Sequence, residues 1–131
     1  MATAAQHRAK WLHNRAFLAT IDDAFADWMA TVMFYTALHA VETLFAHDGT
    51  HVHGGHGPRN QTLKTYNRYK QVWKHYRPLF DAARTTRYEA DANEWIAVQD
   101  VKSRLASDLY RVEASVVKLT NQPLELARLW P

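Results

Sequence analysis

The sequence predicts an all-α protein, an up-and-down bundle of four to five helices in one domain over residues 1–131. Three observations carry that expectation. No run of β-branched residues alternates with period two, and helix formers dominate. The stretch DWMATVMFYTALHAVETLFA, starting at Asp27, is apolar on most sides, as a helix at the centre of a bundle must be. A closing stretch repeats Trp95, Val98, Leu105, Leu109, Val112, Val116 and Leu119 in a 3-4-3-4 ladder that only Lys102 interrupts.

Taken in order, the first helix is expected over residues 3–20, with Ala5, Ala9, Leu12, Ala16 and Ala19 stepping along one buried face. Asp22 and Asp23 are N-cap residues for a second helix that runs to about Ala46. Residues 48–57 hold all four glycines and read as a loop, with Pro58 suited to the first position of a third helix over residues 59–69. A fourth helix covers residues 72–89, with Pro78 starting or bending it. Asn93 is a good N-cap for the last helix, which ends near Asn121, before Pro123. The tail LELARLWP is apolar enough to dock on the bundle or on a partner.

At 131 residues the chain can bury a core without disulfides or a structural metal. It has no cysteine, which removes thiolate zinc sites and cysteine nucleophiles and fits a reducing compartment. The N-terminus lacks a signal-like apolar core, and the longest apolar run carries Thr36, His39 and Glu42. The expectation is a soluble, cytoplasmic protein with no membrane association.

The net charge of +3 hides an asymmetry. Between Arg59 and Arg87 lie eight basic residues and one acid, Asp81, giving +7, so the rest of the chain sums to −4. Tyr66, Tyr69, Trp73, Tyr76 and Phe80 are interleaved with this charge. Such a mixture suits phosphate contact with base stacking, and equally a solvated helix face whose aromatics point into the core.

Ionisable groups inside an apolar helix need partners, because an unpaired buried one costs several kcal/mol. Tyr35, His39 and Glu42 share one side of the second helix, so His39 can bond either neighbour. They form a satisfied core network or a site in which Glu42 and His39 hold His56 or Arg59. The loop set His47, Asp48, His51, His53 and His56 has metal-ligating side chains, but its glycines make it costly to order. No metal or cofactor is therefore expected. The three serines, Ser103, Ser107 and Ser115, follow no nucleophile-elbow glycine motif, and P-loop and Rossmann fingerprints are missing.

The string DWMATVMFYTALHAVETLFAHDGTHVHGGHGPRN, followed by a Tyr-rich stretch and ARTTRYEA, resembles the prokaryotic HEPN families. The parts that match are the core at Phe34 to Glu42, the Gly49-x-His51 turn, His56-x-x-Arg59 and the Arg87-Tyr88 pair. The resemblance implies a helical homodimer with a composite cleft that binds RNA or a nucleotide. It also implies a metal-independent endoribonuclease of a toxin–antitoxin or antiviral defence system, with a cognate antitoxin or nucleotidyltransferase partner. In such enzymes a histidine separated from an arginine by four to six intervening residues moves the 2′-OH proton, and the arginine stabilises phosphate charge. Arg8/His13 and Arg68/His75 satisfy that spacing, yet ten arginines and eight histidines produce roughly two such matches by chance. Arg59 is followed by Asn60 but by no histidine at that distance.

The candidate catalytic residues are thus His39, His56, Arg59 and, as an acid–base group, His75. The candidate substrate-binding residues are Glu42, Arg68, Arg87 and Tyr88. Two further readings compete: a noncatalytic helical module that binds an acidic protein or stands on the antitoxin side, and a metal protein built on the His-rich loop.

Overall fold

The computed structural model describes residues 1–130 and is all-α, with five helices packed as a bundle and no strand among the described residues. Helix α1 is Ala4–Leu18, α2 is Ala26–Asp48, α3 is His56–Thr65 and α4 is Lys70–Thr86. Residues 98–120 form one helical run, α5, made of Val98–Asp100, a π-helical turn Val101–Leu105, and Ala106–Thr120.

Local chemistry explains most boundaries. Thr3 and Gln6 close a capping box at the start of α1, with bonds of 3.1 and 2.8 Å between each side chain and the other's backbone N–H. Asp22 caps, but it caps a short 3₁₀ turn, Asp23–Phe25, and α2 begins only at Ala26. Gly49 ends α2 with a left-handed φ of 69°, a conformation that costs glycine nothing. Helix α3 starts three residues earlier than expected, so His56 is helical and Pro58 is the third residue, where a missing N–H still costs no bond. Pro78 lies inside α4 rather than at its start. The π turn accounts for the break in the apolar ladder at Lys102, because it inserts an extra residue into the helical register. Asn93 sits in a 3₁₀ turn capped by Asp91, and Trp95 lies outside α5 and is exposed.

The expected inner face of α1 is wrong. Ala5, Ala9, Leu12, Ala16 and Ala19 are exposed, and α1 is anchored instead by buried Trp11 and Leu18. Alanine spacing is a weak guide, because an indole with one isobutyl group buries more apolar area than four methyls with one isobutyl group.

Helix α2 packs against α1, α4 and α5, and one core cluster draws buried residues from all five helices. The segment Asp23–Asp48 is long and apolar enough to cross a membrane, but 72% of its apolar window is buried inside the bundle. Each fully buried Leu, Met or Phe there contributes about 1.5–3 kcal/mol. The tail docks on its own bundle: Leu124, Leu126, Leu129 and Trp130 pack partly buried against the core. Arg8 donates to the Pro123 carbonyl at 3.0 Å, and Lys102, 2.7 Å from Asp23, lies over the Trp130 ring.

Candidate functional site

Helix α2 is buried on nearly every side except one stripe. Trp28, Val32, Tyr35, His39, Glu42 and Ala46, spaced four and three apart, keep solvent exposure while their neighbours lose it. The polar members of this stripe receive side chains from three other helices or their ends.

Glu42 accepts from Arg59 Nε at 2.6 Å, and Arg59 Nη1 lies 3.2 Å from His56 Nδ1. Because a guanidinium can only donate, His56 Nδ1 accepts, which makes the imidazole neutral with its proton on Nε2. Burial lowers the His56 pKa, and Arg59 and Arg87 lower it further. The ring is held between Phe34 and Phe80, with centroids 5.6 Å from each. Two α3 residues one turn apart thus bond each other, Arg59 anchored to a carboxylate on α2 and His56 seated in an aromatic slot between α2 and α4.

Arg87, just past α4, donates to the Tyr35 hydroxyl at 2.7 Å and lies over the Tyr88 ring at 5.0 Å. Its Nε is buried without a hydrogen-bond partner, as is the Tyr76 hydroxyl. Burial raises the Tyr76 pKa, against the pull of Arg59 and with the help of Glu42 and Tyr35. The Phe34 ring packs on Tyr35 and Tyr76, so these groups form one cluster. Tyr88 is exposed beside it.

His39 bonds neither Tyr35 nor Glu42. Its Nδ1 faces His7 Nδ1 of α1 at 3.3 Å, so at most one proton lies between the two rings. Its pKa is lowered by burial first, then by His7, Lys10 and Arg59, with Glu42 opposing. No sequence signal pointed to His7, since the pairing spans two helices. Tyr35 was within reach of sequence reasoning through its spacing from His39 and Glu42, whereas the aromatic slot needed the packing of α4.

Arg68 and His75 are not brought together. Arg68 clamps Asp48 with bonds of 2.7 and 2.9 Å and reaches the Leu119 carbonyl at 2.8 Å. His75 lies 2.9 Å from Asp108, which stands on α5 eleven residues before Leu119, about 16 Å along the helix. Neither shares a hydrogen bond, ion pair or ring contact with the Arg59 cluster among the described residues. Asp48 also accepts from Tyr69 at 2.6 Å and lies 3.2 Å from His47. Burial alone would raise the Asp48 pKa, but the bonds from Arg68, Tyr69 and His47 outweigh it and hold it low.

The His-rich loop is not gathered into a ligand set. Among the described residues no three His, Asp or Glu side chains stand together as a metal site. His47 and Asp48 close the end of α2, whereas His56 belongs to the Arg59 cluster.

Comparisons with known proteins find no family model, no curated protein and no solved structure that matches this chain.

What the cluster can do follows from its charges. Glu42 neutralises Arg59, His56 is neutral, and Arg87 has only hydroxyl and aromatic partners, leaving one net positive charge beside an Nε2–H donor. That arrangement suits a phosphate or carboxylate oxygen.

Proposed function

We propose that the chain is a HEPN-like, up-and-down bundle, soluble and cytoplasmic, that binds RNA or a nucleotide. The observation that carries this is the Arg59–His56–Arg87 cluster, an anion site at the edge of a strongly basic surface. Lys64, Lys70 and Lys74 are exposed, and Arg77 and Arg84 are exposed too, only 3.7 and 3.8 Å from Asp81. Such solvated pairs are worth little and leave both guanidinium groups available to phosphates. Tyr88 and Tyr66 add exposed aromatic faces for bases.

In this reading two copies meet along the open stripe of α2, where Trp28 is 53% exposed and Phe17 and Phe25 flank it at 54% each. The dimer places the two clusters along a common cleft. RNA cleavage without a metal would use Arg87 and Arg59 on the phosphate. Neutral His56, its Nδ1 released from Arg59, would take the 2′-OH proton as the 2′ oxygen bonds phosphorus and, as imidazolium, return it to the leaving 5′ oxygen. A toxin or antiviral role, with a cognate antitoxin or nucleotidyltransferase partner, completes the proposal.

One observation favours a second reading, a noncatalytic helical interaction module. Arg68 and His75 are tied to Asp48 and Asp108, and Glu42 to Arg59, so much of the candidate set already has an internal partner.

The test uses untagged protein and a mixed RNA pool with EDTA, at low and moderate salt. Expected are salt-sensitive binding, at least tenfold weaker binding for Arg87→Ala and Arg59→Ala with the fold retained, and cleavage that His56→Ala removes. Binding without cleavage reduces the proposal to a nucleic-acid-binding module. Absence of both transfers the weight to the interaction module.

A further inference from the structure

A cavity of about 250 Å³ lies where the N-terminal turn of α1 meets the C-terminal ends of α2 and α5 under the tail. We propose that it is a second binding site, for a small apolar monocarboxylate, separate from the anion cluster of α2 and α3.

It is open to solvent between the helix ends, and what it would take is decided by its lining and not by its size. Small side chains keep the space open: Ala5, Thr43 and Thr120 line it where larger residues would fill it. Trp11, Val117 and Leu124 supply the apolar walls. The Thr43 and Thr120 hydroxyls donate to the His39 and Val116 carbonyls of their own helices, each at 2.7 Å, so they present no free donor to the cavity. Most of the wall is apolar, so an occupant is apolar over most of its surface.

Arg8 supplies the full positive charge among the cavity's polar lining residues, which also include His47 and Gln122, and no acidic residue is among them. The Arg8 contact with the Pro123 carbonyl uses one of five N–H donors and fastens the tail over the opening. The ends of α2 and α5 bring partial negative charges of about 0.5 each, but the full charge of Arg8 together with the positive end of α1 outweighs them. A carboxylate paired with Arg8, its hydrocarbon body against Trp11 and Val117, matches the charge and the apolar walls.

Benzoate and its neutral isostere benzamide are titrated into the untagged full chain by calorimetry, with backbone amide NMR shifts as the locator. Benzoate is expected to saturate one site, shifting the amides of Ala5, Val117 and Leu124. Benzamide is expected to bind at least tenfold more weakly, about 1.4 kcal/mol. Arg8→Gln should bring the two ligands level. Filling the cavity by Ala5→Leu or Val117→Phe should abolish both in whichever variant folds. No saturable shift at these amides, or binding that survives both fillings, overturns the site. Equal affinity of the two ligands for the unaltered protein overturns the carboxylate assignment.

Discussion

Two glutamates in this bundle hold an arginine, and their surroundings send them to different ends. Glu113 on α5 is fully buried, and its Oε2 accepts from Trp11 Nε1 at 2.7 Å and from Arg15 Nε at 2.9 Å. Its other oxygen is buried without a partner. Glu42 on α2 is 17% exposed, and its arginine is shared with an imidazole at the edge of the α2 stripe. The Glu113 triad ties α1 to α5 and opens to nothing. The Glu42 cluster spends the same ion-pair chemistry on orienting Arg59 and His56 beside a second guanidinium. Burial thus separates a pair that holds helices together from one that presents donors.

The Glu113 triad is the more sensitive of the two to loss of its carboxylate. Glu113→Ala should lower stability by about 3–5 kcal/mol, read by urea denaturation, because it leaves the Arg15 charge without its partner in a largely buried position. Glu42→Gln should cost only about 1 kcal/mol, since the amide oxygen still accepts from Arg59 and Glu42 itself is partly exposed, yet it should weaken ligand binding. Equal losses of stability in the two variants would remove the distinction.

A pH titration sharpens it with opposite signs. His39 and His56 have folded pKa values lowered from 6.5, so the stability they contribute is fully present above about pH 6.5 and is lost as pH falls through their lowered values. Glu113 is raised above its usual 4.5 by burial, which Arg15 and Trp11 oppose only in part. Its contribution is fully present below about pH 4.5 and is lost as pH rises through the raised value. Melting curves should show a fall in stability below pH 6.5 that His39→Asn diminishes and Glu113→Gln does not.

The smallest expected effect is that of Tyr76→Phe. Its hydroxyl is buried and unpartnered, so removing it should change stability by under about 1 kcal/mol in either direction. A loss of 2 kcal/mol or more would show that the hydroxyl has a partner and belongs to a closed network like that of Glu113.

Much of the bundle was legible in the chain. Apolar residues on most sides of the 27–46 run require a central helix, and the glycine-rich loop and Asn121 mark its neighbours' limits. The candidate site was legible in part. A glutamate inside an apolar helix demands a cation, and Arg59 is the one that arrives, but the choice of His7 for His39 and of Asp108 for His75 was not readable. Those pairs join residues 32 and 33 positions apart, across helix faces whose orientation depends on packing. The misassigned face of α1 has the same origin, because a stripe of alanines fits a core or a surface equally well.

By itself, then, the sequence determined the helical class, the central place of α2 and the need of Glu42 for a partner, since periodicity and the cost of burying charge act locally. Tertiary structure alone decided which of ten arginines and eight histidines meet, because that depends on the rotation of each helix about its axis. That rotation is set by the summed burial of residues such as Trp11, Leu18 and Phe34, and not by the polar groups that end up facing one another.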